Sequence, residues 1–516
     1  MAPGGCAGGT GASGQERGDV AVPLSPPAPT MLLRESPFPN RALVALDYLA
    51  RGLLAPSFWA TNRLLDLRPT TAERRSRCCG WAGRALAGLV YAAALLVSLP
   101  PMALGLLLWL PVQAARRPFA YQYTAGTAPA EPWDLRQRRA FTFLSANVCL
   151  LPSGLAKFSN LGQTPQRATY IARHLAPAPP SPSGALVEPR HGHADTYGGT
   201  LRTPPGPPAA AGPGPGPVAL AERFPADADF VCLQEVFDAG AAATLRRRLG
   251  GAFPHVLSEV GDRGLHGGRL KLLDSGLLLA SRYPLLAAEF HGFPNGARED
   301  AMAAKGLLVV QVLLGSAQGQ RVVGYLGCTH LQAPAGDAAV RDAQLTLALH
   351  WLQLFRGAWE QRGDVVAFDV LCGDLNFDNC SRGDELNQRH RLFELYRDPC
   401  RRAPGQDEPW AIGTLLNYLK IYEEPVSTPE KLRRTLSEPA GRQRYLAGPI
   451  LASGQPDPVA RGPWQGRRVD YVLFRPPGGA WPMWTEVAGV TFITQLATRS
   501  DHLPVALRLH VALATP

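Results

Sequence analysis

The sequence predicts an α/β protein: a layered mixed domain of strands and helices behind an N-terminal hydrophobic membrane-anchoring region. Three observations predict it. Apolar runs of strand length recur from Phe141 to the C-terminus, with stretches of helical pattern between them. Several of those runs end in a polar residue, as Val365 to Cys372 does before Asp374 and Asn376. Between Arg84 and Arg116, 31 consecutive positions carry no charge, more than the roughly 20 residues a membrane helix needs.

The chain has 516 residues, enough for a large core. Its net charge is +10. The visible arginine clusters flank hydrophobic segments, which suits an anionic membrane surface as readily as nucleic acid. Nine cysteines show no C-x-x-C pair. Cys149, Cys232, Cys328 and Cys372 fall inside predicted strands and read as reduced core thiols of a cytosol-facing protein, excluding a disulfide frame or a zinc site.

Residues 1–30 are rich in Gly, Ala, Pro and Ser without a hydrophobic stretch, so they read as a disordered extension and not as a secretory signal. Residues 31–120 form the membrane-associated region. Within it, residues 42–60 are apolar but carry Asp47 and Arg51 four apart on one helical face, which fits an interfacial helix. Residues 85–115 carry Pro100-Pro101 at their middle, where a helix kinks or breaks. Basic residues lie on both flanks: Arg74, Arg75, Arg77 and Arg84 before, Arg116 and Arg117 after. A re-entrant hairpin keeps both clusters on the cytosolic side and is favoured over a kinked single span. Cys78 and Cys79 among those arginines are candidates for palmitoylation. Residues 121–139 read as a polar linker.

The mixed α/β domain then runs from 140 to 516. A strand pattern over 141–151 carries Asn147, and 166–175 has helical pattern. Residues 176–217 are a Pro/Gly-rich insertion, expected to be disordered. Strand patterns resume at 229–236, ending at Glu235, and continue at 275–281, 306–314 and 321–331, which carries His330. A helix over 339–357 precedes the Val365 strand. Later patterns at 468–474, 489–494 and 505–513 bring Asp470, then Asp501 and His502. There is no G-x-G-x-x-G and no Walker loop.

Asn147, Glu235, His330, Asp374, Asn376, Asp470, Asp501 and His502 therefore collect at strand ends. Together they match the needs of a phosphoester hydrolase: a cation for the phosphate, donors for its oxygens and a base for water. Carboxylate and amide ligands suit Mg²⁺, with Mn²⁺ able to substitute, better than zinc.

The order and wording of these segments resemble the endonuclease/exonuclease/phosphatase superfamily. The matching segments are Ala146-Asn147, Leu233-Gln234-Glu235, Cys328-Thr329-His330-Leu331, Gly373-Asp374-Leu375-Asn376, Arg468-Val469-Asp470-Tyr471 and Ser500-Asp501-His502-Leu503-Pro504. Leu375 stands where the superfamily often has Phe. The resemblance implies a four-layered α/β sandwich.

From about Met31 on, the chain is similar to the membrane-anchored neutral sphingomyelinases. Pro37-Phe38-Pro39-Asn40, Ser98-Leu99-Pro100, Ala115-Arg116-Arg117-Pro118, Asn147-Val148-Cys149-Leu150-Leu151-Pro152, Gln234-Glu235-Val236-Phe237-Asp238, Pro409-Trp410-Ala411-Ile412-Gly413-Thr414 and Phe492-Ile493-Thr494-Gln495-Leu496 carry that similarity. Its short insertion and cysteine-poor catalytic domain resemble the mitochondria- and endoplasmic-reticulum-associated member more than the Golgi and plasma-membrane one. The resemblance implies Mg²⁺-dependent hydrolysis of sphingomyelin to ceramide and phosphocholine. Glu235 would hold the metal, with Asn147 near metal or phosphate. His502 would be the base and Asp470 its orienting carboxylate. His330 and Asn376 would donate to phosphate, Asp374 would position water, and Asp501 would support the metal region. Asp300 and Lys305 look like that family's Asp–Lys switch.

The basic flanks also suggest activation by anionic phospholipids such as phosphatidylserine or cardiolipin. No nucleic-acid partner is expected, and homo-oligomerisation stays open. A nuclease, an inositol-phosphate phosphatase, a phospholipase C acting on choline lysophospholipids and an inactive membrane scaffold remain the alternatives.

Overall fold

The computed structural model describes residues 33–76, 81–125, 133–135, 137–177, 219–317, 319–459, 464–476 and 483–513. The expected disordered extension 1–30, Cys78 and Cys79, and nearly all of the insertion 176–217 lie outside the described residues.

Among the described residues, two large sheets face each other. The first is eight-stranded, in the order Ala120–Tyr123, His255–Ser258, Leu278–Ser281, Phe230–Gln234, Arg139–Asn147, Val505–Leu513, Met483–Ile493 and Leu220–Ala221. The second is five-stranded, in the order Asp470–Phe474, Val365–Asp374, Gln320–His330, Gly306–Ala317 and Leu285–Gly292. Buried side chains fill the space between them. Phe368 of the second sheet packs edge-on against Phe143 of the first, with ring centroids 4.9 Å apart, and against Phe141 and Phe230. Gly324 makes room for it, since a Cβ there would stand 2.3 Å from the Phe368 ring.

The outer faces are covered by helices. Thr164–Leu175 and Ala239–Leu249 bury Ile171, Leu175, Leu245 and Leu249 on the first sheet. Ala338–Trp359 buries Leu345, Leu349, Leu352 and Phe355 on the second. Helix, sheet, sheet, helix are the four layers the sequence leads one to expect.

Two segments differ from the expectations. Residues 121–139 are not a free linker. Ala120–Tyr123 pairs with His255–Ser258 at the sheet edge, and Trp133 and Leu135 are buried in the core. Their apolar side chains are scattered among polar neighbours, so no periodicity announces them.

The uncharged stretch is not a broken hairpin. Trp81–Ala114 is one helix with Pro100, Pro101 and Pro111 inside it. The prolines at 100 and 101 each remove one amide donor, freeing the carbonyls four residues before them. The preceding helix, Arg41–Asp66, packs across this point. Ser57 Oγ donates to the Ser98 carbonyl (3.0 Å) and lies 2.8 Å from Ser98 Oγ. Elsewhere the pair is joined by Asp47 and Gln113 (2.7 Å), by Trp59 edge-on to Tyr91, and by Gly105, where a Cβ would press on Leu53, Leu54 and the Ala50 carbonyl. The outward face is apolar: Tyr48, Phe58, Leu89, Val97 and Leu107 are exposed.

Both ends of this helical pair are tied to the catalytic domain. Before the long helix, Thr71 N–H donates to Asn160 Oδ1 and Arg75 to the Tyr422 carbonyl. After it, Arg116 donates to the carbonyls of Glu259 (2.6 Å) and Gly261. The Arg41–Asp66 helix ends against Gly154, whose N–H donates to Asn62.

Candidate active site

Strand register brings the polar strand ends together. His330 and Asp374 are partners on parallel strands, and Asp374 and Asp470 are partners on antiparallel ones. In the facing sheet, Asn147 pairs with Gln234, which places Glu235 one residue beyond the strand end. Gly373 allows the close approach: a Cβ there would stand 2.2 Å from the Thr329 carbonyl. Glu235 and Asn376 both have left-handed backbone, φ 61° and 55°, which turns them off their strands at the mouth.

Asn147 is the bridge. Its Nδ2 donates to Glu235 Oε1 and to Asp374 Oδ2, each at 2.9 Å. Its Oδ1 accepts from Cys149 N–H. The amide thus spends its groups on two carboxylates and a backbone turn, and orders the oxygens around it.

Burial is the largest influence on the acids. It raises Glu235, and the nearby Asp501 charge pushes the same way. Burial lifts Asp374 to about 7, with Asp470 and Glu235 adding to the rise and His502 opposing it. Asp501 Oδ1 and Asp470 Oδ1 are buried without a hydrogen-bond partner among the described residues. Orphaned carboxylate oxygens are costly in a dry site and mark a place for a cation or a polar substrate. Two groups can each converge on one point: Glu235, His330 and Asp374, and Asp374, Asp470 and His502.

His502 Nδ1 lies 2.8 Å from Asp470 Oδ2. Burial alone would lower this imidazole. The charges of Asp470 and Asp374 outweigh it, and His502 stands well above its ordinary value. Its Nε2 faces Asp374 at 3.9 Å, outside hydrogen-bond range.

Lys305 is buried and held. Its ammonium donates to Asp300 Oδ2 and to the Leu331 carbonyl, each at 3.0 Å, and lies 3.1 Å from His330 Nε2. Burial, and then the charges of Lys305 and His502, hold His330 well below the usual histidine range. Beside an ammonium, neutral His330 accepts at Nε2 and carries its proton on Nδ1. Its expected role as phosphate donor requires Lys305 to leave. Asn376 Nδ2 likewise donates to the Leu331 carbonyl at 3.1 Å.

All ten expected residues therefore meet at one end of the two sheets. Three further residues join them. Ser500 Oγ donates to the Asn147 carbonyl and accepts from His502 N–H. Arg167, fully buried, donates to the carbonyls of Gly162, Cys149 and Arg499. Thr414 contacts the backbone on both sides of the histidine–aspartate pair. Each engages at least one backbone group remote in sequence, so no motif spacing marks it; Ser500 and Thr414 stand within segments quoted above for other reasons.

Residues 207–502 match the Endonuclease/Exonuclease/phosphatase family. Residues 42–115 match the "Neutral sphingomyelinase N-terminal transmembrane region". The chain is 40% identical to sphingomyelin phosphodiesterase 5 of Danio rerio, over 94% of this chain and 99% of that one. It is 35% identical to human sphingomyelin phosphodiesterase 3, over 93% and 99%. Among solved structures, sphingomyelinase C from Streptomyces griseocarneus is 19% identical with a TM-score of 0.38, covering 72% of this chain and 99% of that chain. With full-length matches at these identities over both the helical region and the site, the chain belongs to the neutral sphingomyelinases of the endonuclease/exonuclease/phosphatase family.

Proposed function

We propose that the protein hydrolyses sphingomyelin at a membrane surface, releasing phosphocholine and leaving ceramide, by water attack on phosphorus. The observation that carries this reading is the His502–Asp470 pair facing a carboxylate cluster in a chain so closely related to sphingomyelin phosphodiesterases.

Glu235 and Asp501 offer oxygens that fit Mg²⁺, with Mn²⁺ as a substitute, and Asn147, which donates to Glu235, lies beside them for metal or phosphate. When bound, the ion supplies positive charge to the phosphate. His502 Nε2 takes the proton of the attacking water, while Asp470 holds the ring and stabilises the imidazolium. Asp374, beside Nε2, orients that water. Lys305, once free of Asp300, reaches the phosphate oxygens and releases His330 to donate as well. Asn376 lies at the same mouth.

The helical pair associates with the membrane. Ties to one domain at both ends favour helices lying along the bilayer surface, with the catalytic domain on the cytosolic side. Arg74, Arg75 and Arg117 face anionic lipid in this reading, Arg116 being buried against Glu259 and Gly261, and phosphatidylserine or cardiolipin activates. The short insertion and the cysteine-poor catalytic domain support endoplasmic reticulum or mitochondrion over Golgi or plasma membrane.

The test is phosphocholine release from sphingomyelin in mixed micelles at neutral pH, with and without Mg²⁺, for wild type and His502→Ala. Mg²⁺-dependent release lost in the variant is expected. No release by the folded wild type with anionic lipid present overturns the reading and points to phosphoinositide or nucleic-acid substrates, or to a scaffold.

A further inference from the structure

The catalytic histidine and its orienting carboxylate lie 32 residues apart in sequence. A third segment, Thr414–Leu416, lies against both. Leu415 pairs with His502 as an antiparallel bridge, and Leu416 N–H donates to the Asp501 carbonyl at 2.8 Å. Thr414 makes the decisive contacts. Its Oγ1 accepts from Val469 N–H at 3.0 Å and from Asp470 N–H at 3.1 Å. Its own N–H donates to the Arg467 carbonyl (2.9 Å), and its carbonyl accepts from Leu503 N–H (2.8 Å). The residue is wholly buried.

One side chain and one peptide unit thus fasten the backbone of Asp470 on one side and the residue after His502 on the other. Asp470 is the first residue of its strand. The hydroxyl oxygen of Thr414 accepts from its amide. Without it, the backbone carrying the carboxylate is free to turn, and a carboxylate that turns no longer meets Nδ1.

We propose that Thr414 is a positioning residue that sets the His502–Asp470 hydrogen bond through its Oγ1. The proposal rests on the reading of that pair as base and orienting acid. Thr414→Val keeps the shape and removes the acceptor; Thr414→Ser keeps the acceptor.

The experiment measures phosphocholine release from sphingomyelin mixed micelles across pH for the full chain, for both variants, for Asp470→Asn and for the double variant. T414V is expected to lower kcat about 10-fold or more with KM unchanged. T414S should stay close to wild type. In the Asp470→Asn background, T414V should add no further loss, since the step it serves is already gone. Should T414V fail to fold, Thr414→Ala removes the same oxygen without added bulk and takes its place.

Wild-type kcat in T414V, an equal loss in T414S, or a full multiplicative loss on top of Asp470→Asn would each overturn the proposal. If Asp470→Asn is itself fully active, the base assignment falls. If Asp470→Asn is impaired and T414V is not, only the role of Thr414 falls.

Discussion

The Asp470 carboxylate accepts from His502 Nδ1 at 2.8 Å, and both groups are buried. A base must be neutral to take a proton. With its imidazolium favoured by Asp470 and Asp374, His502 becomes competent only as pH rises through its elevated value. Asp470→Asn removes a negative charge, so the acid limb of kcat/KM should move to lower pH. The rate should fall on the order of 10³-fold, because the ring loses its fixed tautomer. A pH series of initial rates checks both, and an unmoved limb would count against the pairing.

Lys305 is held by Asp300 at 3.0 Å and touches His330. Lys305→Ala should reduce turnover by about 10-fold or more, as loss of a cation from a phosphate site does. Vesicle flotation should show unchanged membrane binding, because Lys305 is buried away from the helical pair's apolar face. Unchanged turnover would remove Lys305 from the reaction.

Chelation should abolish activity and Mg²⁺ should restore it. Glu235→Gln and Asp501→Asn each remove a carboxylate from the place where the ion fits. Each should raise the Mg²⁺ concentration for half-maximal rate by on the order of 10-fold or more. Titration of rate against Mg²⁺ reads this directly, and an unshifted curve for both variants would place the ion elsewhere.

Gly373→Ala should cost both stability and activity. Its Cβ would meet the Thr329 carbonyl at 2.2 Å, and the strands carrying His330 and Asp374 would have to part. Overpacking of this kind costs roughly 1–3 kcal/mol. Thermal unfolding and phosphocholine release measure the two losses, and a variant with wild-type values in both would show that the strands adjust freely.

The site was readable in the sequence because buried strands show as apolar runs, so a polar residue at their end stands out. Glu235, His330, Asp374 and Asp470 all announce themselves this way. Strands such as His255–Ser258 and Leu285–Gly292 do not, because His255, Ser258, Glu289 and His291 interrupt them. Thr414, Ser500 and Arg167 escaped for a different reason. Their partners are amides and carbonyls, which every residue has, so nothing in side-chain identity tells which threonine or arginine is engaged. The Pro100-Pro101 break was misjudged because sequence shows the two lost donors and not the neighbouring helix that holds the turn.

The helical pair, fastened to the catalytic domain at both of its ends, has a kinetic consequence. A tether at one end would let the domain swing through solution. Two fastenings fix its orientation relative to the helices that associate with the membrane. The reaction then takes place in two dimensions, governed by the mole fraction of substrate in the surface rather than by its bulk concentration. Inert lipid becomes an inhibitor by dilution alone, and one enzyme can consume many neighbours before it leaves the vesicle it first met.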